Sequence, residues 1–504
     1  MPDIRLSRAK KNIFVSLGCQ LLTLLCGIIV PKVMLSAFGS EVYGATTSIA
    51  QFLSYIALLE GGIGGVARAV LYKPLAENDV SAISAIMAEI RRFFRVIALV
   101  FLAYVVVLAC SFKTISRVDC LDWASTALLV GVISISTFAQ YFVGISNAIL
   151  LQAAQKSYIT NFVNILGTVV NTVMIIVLVA LDCDIIVVKL VSSIIFVMRP
   201  VILWLYVRRS YRLVRRETRD KTYLTQKWSG LGQHIAYFLH SNTDVVILTC
   251  FADLKAVAVY AVYNMVVANI QNLSMSFVSG MEALFGDMLA KKELKQLHRT
   301  FSMYETIISV IAVLLFAVTA VMILPFVRIY TADITDANYE APLFALLLVL
   351  AALLYCLRLP YHSVVIAAGH FRQTSWAAYG EAAINVLLSI LLVKRLGLVG
   401  VAIGTVAATA FRLVYYVVYL SRQVFCRAPE LFVKRVLVNG VAFALSVMLG
   451  GWLTSHIAMP GYAMWVVGSV LTVMVTAAVT LMLNLLFYRE DCGSLASKVL
   501  AGRR

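Results

Sequence analysis

Apolar stretches of about 20 residues follow one another along the whole chain, each long enough to cross a bilayer as a helix. Fourteen are readable, at roughly 12–35, 42–70, 93–112, 123–150, 157–181, 185–207, 230–252, 256–283, 300–327, 341–367, 373–393, 398–420, 432–455 and 462–487. Several connections are only a few residues long, which leaves helical hairpins as the feasible linkage. In lipid, each backbone group must be satisfied within its own helix. The pattern predicts an all-α integral membrane protein of about 14 transmembrane helices.

The pattern also repeats. Leu17-Gly18 returns as Leu231-Gly232, Ala69 as Ala283, Tyr141 as Tyr355, Ala153-Ala154 as Ala367-Ala368 and Asn171 as Asn385, all 214 residues later. Phe38 returns as Phe251 and Arg199 as Arg412 after 213 residues. Chance matches between apolar residues are common, but a register shared over the chain is not. Each repeat holds six spans, an even number, so both enter the membrane in the same sense. Two parallel repeats related by an axis along the membrane normal are expected. The predicted organisation is a six-helix bundle over 1–207, a basic cytoplasmic linker over 208–229, a second six-helix bundle over 230–425, and two additional helices with a tail over 426–504. A membrane chain in two equal halves is the usual plan of a secondary transporter, with its substrate site at the repeat interface.

Composition agrees with the spans. The chain is 62% hydrophobic and 13% charged, against about 25% charged in soluble domains. A net charge of +17 raises the question of nucleic acid. Its placement answers otherwise: most Lys and Arg fall on segments that share one side of the membrane, which is the positive-inside bias. The densest block is Arg208, Arg209, Arg212, Arg215, Arg216, Arg219, Lys221 and Lys227, whereas the outer loop 329–340 carries Asp333, Asp336 and Glu340 without Lys or Arg. Both termini are expected in the cytoplasm and the chain in a bacterial plasma membrane. Arg5, Arg8, Lys10 and Lys11 before a long span read as a retained first helix, not a cleaved signal. The nine cysteines are scattered without ligand spacing, and neither metal nor cofactor is expected.

Ionisable groups inside spans cost roughly 2.5–3.5 kcal/mol each on insertion scales, so each is retained for a reason. Arg199 and Arg412 form a repeat pair suited to bidentate contact with pyrophosphate oxygens. The bland reading of both is snorkelling toward the inner surface. Arg358 stands two residues before Pro360, where a helix break beside a cavity is expected. In Glu60-Gly61-Gly62-Ile63-Gly64-Gly65, four glycines weaken the helix around a mid-span carboxylate. Glu60 and Asp244 are the candidate ion-coupling sites; Glu305 and Glu381 lie nearer the inner surface and rank below them. At the inner ends of equivalent helices, Arg68 aligns with Glu282, Lys73 with Asp287 and Glu77 with Lys291. These opposite charges suggest a cytoplasmic gate, with ordinary solvated loop ends as the alternative. Asp182-Cys183-Asp184 resembles a glycosyltransferase DxD, but its loop leaves no room for a donor pocket. No Gly-rich phosphate loop, GxSxG or HExxH occurs, so no covalent catalysis is expected.

The stretch from Pro31 through Phe38-Gly39 and Tyr43-Gly44, followed by Glu60 to Arg68 (EGGIGGVAR), resembles the polysaccharide-exporter (Wzx-type) branch of the multidrug/oligosaccharidyl-lipid/polysaccharide (MOP) exporter superfamily. The six-plus-six-plus-two span plan is similar to that of the lipid II flippase relatives. The resemblance implies transport of an undecaprenyl-pyrophosphate-linked oligosaccharide from the inner to the outer leaflet for O-antigen, capsule or exopolysaccharide synthesis. The implied mechanism is alternating access coupled to a proton or sodium gradient, with a polysaccharide polymerase as a potential partner. Cationic cavity residues of the family map onto Arg68, Arg199, Arg358 and Arg412. The chain departs from the pattern in span 1, where Lys32 stands without an arginine cluster. The alternatives are a drug/cation antiporter of the same fold, using Glu60 and Asp244, and a membrane polysaccharide polymerase.

Overall fold

The computed structural model describes residues 2–61, 63–118, 120–211, 231–276, 281–425 and 430–488. The expected linker 208–229 lies outside these residues from Arg212 onward, as does the tail after Tyr488. The described chain is helical throughout, with no strand. Among the described residues, twelve helices are long and apolar enough to cross a membrane. One of the twelve, Leu22–Glu60, joins the first predicted span to half of the second. It belongs to α1 (Pro2–Ser54), which leaves helical geometry at Gly39, where φ is 77°. Glycine meets that conformation without a Cβ penalty. The seventh predicted span is the helix α8 (Leu231–Phe251).

The second span is broken, as its glycines suggest. A 3₁₀ turn, Tyr55–Glu60, ends at the left-handed Gly61, and α2 resumes over Ile63–Glu77. α3 (Val80–Ser116) follows, with Asp79 accepting from the Ala82 amide at its start. The fourth span comprises α4 (Trp123–Ala139), a π-helical turn over Gln140–Gly144, and α5 (Ile145–Ala153). α6 (Ser157–Ala180) and α7 (Ile185–Ser210) complete the first six. Asp122 and Asp184, before the first residues of α4 and α7, each accept backbone N–H groups as N-caps; those bonds, the Ser125 contacts first, hold the Asp122 carboxyl below its ordinary value. Asp184 of the DxD is thereby a helix cap.

The second half runs α9 (Leu254–Ser276), α10 (Met281–Ala290), α11 (Leu294–Tyr330), α12 (Pro342–Ala367), α13 (Phe371–Leu396) and α14 (Leu398–Gln423). The repeat is visible in the element ends. α3 and α11 begin at 80 and 294 and end at 116 and 330, 214 apart in both cases. α6 and α13 begin at 157 and 371, again 214 apart, and α7 and α14 at 185 and 398, 213 apart. A one-residue slip therefore falls before the last helix of each half, besides the one at Phe38 and Phe251. One expectation fails. α12 runs unbroken through Pro360, because Arg358, Leu359, Tyr361 and Ser363 around it are buried and packing holds the helix despite the lost N–H bond. The interruption occurs instead in the first half, at the π-turn.

The two added helices are α15 (Glu430–Ser455) and α16 (Tyr462–Phe487). They pack on α11 through small and polar residues. Thr472, Thr476 and Thr480 repeat every fourth position and are fully buried, Trp465 Nε1 donates to the Met322 carbonyl at 3.0 Å, and Gly450 lies against Val321 and Thr472. Small side chains allow the close backbone approach that drives helix association in lipid. The chain forms two compact units, Met1–Phe238 with Asp253–Ala258, and Leu239–Ala252 with Val259–Arg504. The first has its own core, built on Phe94, Phe101 and Phe112 of α3 and on Leu129, Val130 and Leu150.

Candidate functional site

In the first unit the broken span and the π-turn meet. The Glu60 carboxylate accepts a hydrogen bond from Tyr141 Oη. Tyr141 stands in the π-turn, a distortion that re-aims a side chain within an otherwise regular helix. His234 Nε2 lies 2.8 Å from the Ala57 carbonyl oxygen, in the turn that carries Glu60.

The arginines of this unit have neutral partners. Arg68 Nη1 donates to Gln152 Oε1 at 2.9 Å. Arg199 crosses from α7 to α6, where its Nη2 donates to Thr168 Oγ1 at 2.8 Å and its stem lies over Gly167. Its guanidinium also sits 4.2 Å from the centre of the Phe196 ring. Its buried Nε has no partner. No carboxylate lies within ion-pair distance of either guanidinium among the described residues.

The second unit treats its arginines differently. Arg358 Nη1 donates to one oxygen of Glu381 at 2.6 Å, and Arg412 Nη1 to the other. Tyr416 Oη accepts from Arg412 Nη2 at 3.0 Å, and the His362 ring stacks parallel on Tyr416. Glu381 is wholly buried and both arginines nearly so. Two cations share one anion, so α12, α13 and α14 are joined by a buried triad of net charge +1. A second buried pair joins α15 to this unit: Glu305 of α11 accepts from both Arg435 and Tyr361, and Ser302 Oγ accepts from Arg435 Nη2 at 2.6 Å.

Asp244 of α8 is 6% exposed and has no cationic partner among the described residues. Tyr260 and Thr405 hydroxyls each lie 3.1 Å from its Oδ2, and Asn385 Nδ2 donates to Thr405 Oγ1 at 3.2 Å. Asp244 Oδ1 and Asn385 Oδ1 are buried with no partner. One carboxylate within a set of oxygen donors, two of them orphaned, has the chemistry of a site for a proton or a hard monovalent cation.

The inner-end charges pair within their own helices. Lys73 lies 3.9 Å from Glu77, and Lys291 2.8 Å from Asp287. Asp287 holds the Lys291 ammonium above its ordinary value by that hydrogen bond. The sequence offered no functional signal for Tyr141, Gln152, Thr168, Thr405 and Arg435, which the structure places against the candidate residues, and Glu305 and Glu381, expected nearer the inner surface, are buried partners of arginines.

No protein-family model and no curated protein sequence matches the chain. Solved structures do. The lipid II flippase MurJ in an inward closed conformation matches with a TM-score of 0.66 at 11% identity, over 95% of this chain and 99% of that one. The chain shares the fold of that structure. An inward-facing multidrug-resistance transporter of the MATE family, titled as a MOP superfamily member, matches with a TM-score of 0.57 at 14% identity, over 81% of this chain and 98% of that one. The MATE multidrug transporter DinF-BH gives 0.55 at 15%, over 83% and 97%. The flippase structure thus extends over more of the chain than either MATE structure.

Proposed function

We propose that the chain is a flippase that carries an undecaprenyl-pyrophosphate-linked oligosaccharide from the inner to the outer leaflet of a bacterial plasma membrane. The observation that carries this reading is the pairing of the intramembrane arginines. Arg68 and Arg199 are held by amide and hydroxyl oxygens alone, so their charge is available to phosphate oxygens, which match the guanidinium fork. Arg358 and Arg412 bring one further positive charge, but Glu381 takes the other, so they meet substrate only as a triad. The two helices beyond the twelfth, and the extent of the likeness to a lipid II flippase, favour a lipid-linked cargo. The oligosaccharide would then be delivered to a polysaccharide polymerase on the outer side.

Alternating access needs a coupled ion. Asp244, with Asn385 and Thr405, supplies the oxygen set for sodium or a proton; Glu60 with Tyr141 is a second proton-holding group in the other unit. Reversal of the inner-end charges Arg68, Lys73 and Glu77 against Glu282, Asp287 and Lys291 between the halves would let them close a cytoplasmic gate. Reversing Arg68 or Glu282 singly should slow transport, and harmless single reversals would rule the gate out.

The second reading, a drug/cation antiporter, is favoured by the Asp244 cluster. One experiment separates the two. Proteoliposomes holding wild type, or Arg199→Ala with Arg412→Ala, are assayed for flipping of a fluorescent polyprenyl-pyrophosphate oligosaccharide. Flipping by wild type and its loss in the variant supports the flippase. Export of an organic cation under a sodium or proton gradient, with no flipping, selects the antiporter.

A further inference from the structure

Applying the 214-residue register to the charged residues of α3 and α11 brings out a difference between the two halves. Arg91 of α3 stands where α11 has Glu305, and Asn147 of α5 stands where α12 has Tyr361. The contacts correspond as well: Tyr361 Oη donates to Glu305, and Arg91 Nη2 donates to Asn147 Oδ1 at 3.5 Å. In the second half a third group completes the arrangement, Arg435 of α15. In the first half the corresponding place holds a cation, and no carboxylate pairs with it among the described residues.

Arg91 is not alone on its face. Arg91, Arg95, Leu99, Leu102 and Val106 follow one another by four, four, three and four positions, which places them on one stripe of the helix. Arg95 is exposed, 5.4 Å from the centre of the Phe142 ring. Like charges four residues apart on a helix repel, so this pair is retained at a cost that an anion between them would remove. Above it, Leu99 and Leu102 are 61% and 51% exposed, whereas their equivalents on α11, Val313 and Phe316, are 1% and 0% exposed. The second half covers its α11 with α15 and α16; the first half leaves the matching stripe open, with a cationic foot and an apolar length.

We infer that this stripe of α3 binds an anionic phospholipid of the inner leaflet, whose phosphate sits on Arg91 and Arg95 and whose acyl chains lie along Leu99, Leu102 and Val106. The lipid takes the place that α15 takes in the other half, with the charges inverted: there an arginine of the added helix meets a glutamate, here a lipid phosphate meets arginines. The generic inner-side excess of basic residues accounts for an exposed cation such as Arg208 but not for a half-buried Arg91 held by an amide oxygen. The inference rests on the reading that the start of α3 lies on the cytoplasmic side.

The test uses the full-length protein in detergent micelles, titrated with phosphatidylglycerol or phosphatidylcholine, with bound lipid counted by native mass spectrometry. Phosphatidylglycerol should bind and phosphatidylcholine should not, and Arg91→Gln or Arg95→Gln should each weaken binding about five-fold, the factor expected of one basic side chain near an anionic surface. Arg208→Gln, an exposed cation at the end of α7, should leave binding unchanged. Equal loss in Arg208→Gln would show a generic basic surface and overturn the site. So would undiminished binding in Arg95→Gln, whose exposed side chain can be replaced without disturbing the core. Binding of inorganic pyrophosphate with no phosphatidylglycerol binding would reassign the arginines to a soluble or substrate phosphate and overturn the lipid. Labelling of Arg92→Cys from one side of the membrane reads the orientation independently. An outward Arg92 sinks the topology of the transport reading, whereas an inward Arg92 with no lipid bound sinks this inference alone.

Discussion

Replacing Glu381 with Gln tests whether the buried triad is a lock or a substrate site. The carboxylate sits between two guanidiniums, with Arg358 Nη1 at 2.6 Å and Arg412 on the other oxygen. At an effective dielectric of 20, each attraction is worth about 4 kcal/mol at 4 Å; removing one partner of a buried pair costs about 3–5 kcal/mol, since the remaining charge stays desolvated. Here two cations are left facing each other, and Tyr416 can serve only Arg412. Glu381→Gln should therefore destabilise the fold by about 3–5 kcal/mol, read from an unfolding equilibrium in mixed micelles. Adding Arg358→Met removes the repulsion and should recover part of the loss, with a coupling of about 1–3 kcal/mol in the double-mutant cycle. A stability change under about 1 kcal/mol, together with tighter binding of polyprenyl pyrophosphate, would refute the lock, because it would mean that Glu381 had merely been competing with substrate for two free arginines.

Arg435→Met should cost about 3–5 kcal/mol by stranding Glu305, and Arg435→Met with Glu305→Gln should be nearer to wild type; the same unfolding equilibrium checks both, and an unperturbed single variant would show that α15 is held by packing alone. Asp244→Asn should leave the fold intact and abolish the dependence of transport on a sodium or proton gradient; proteoliposomes in which Asp244→Asn still responds to the gradient would move the coupling site elsewhere, with Glu60 the next to substitute.

Much of the fold was legible because lipid leaves the backbone few options. Long apolar runs must be helices, and a shared register must be a structural repeat. The glycine run 61–65 fixed the broken second span for the same reason. Pro360 misled, since a proline only permits a break and the buried residues around it decide. The site was less legible because its pairs are distant in sequence: Arg358 and Glu381 are 23 residues apart and Arg435 and Glu305 are 130 apart. Ranking carboxylates by depth put Glu381 and Glu305 low, although a buried acid is placed by its cation and not by its depth. A signal was nonetheless present in the register. Apolar and small residues revealed the repeat, but it is the charged positions breaking it that carry the chemistry, Glu381 against Gly167 and Glu305 against Arg91.

That contrast supplies a direct manipulation. Arg412 and Glu381 of the second half correspond to Arg199 and Gly167 of the first, at offsets of 213 and 214. The first half thus keeps the arginine and lacks the acid. A Cβ built on Gly167 would collide with Arg199 Nε and meet its Cγ at 3.1 Å and Cδ at 3.3 Å, so a side chain there displaces the arginine side chain itself and not the backbone of another helix. The flexible Arg199 side chain must swing to another rotamer to admit it. Gly167→Glu should therefore install in the first unit the ion pair that the second already has. Pairing neutralises the guanidinium that the transport reading gives to the pyrophosphate, so flipping should fall at least ten-fold while the protein stays folded. Gly167→Gln, which fills the same space without the charge, should lose much less. Equal losses in the two variants would mean that volume at Gly167, and not the charge of Arg199, limits transport; full activity in Gly167→Glu would remove Arg199 from the substrate path.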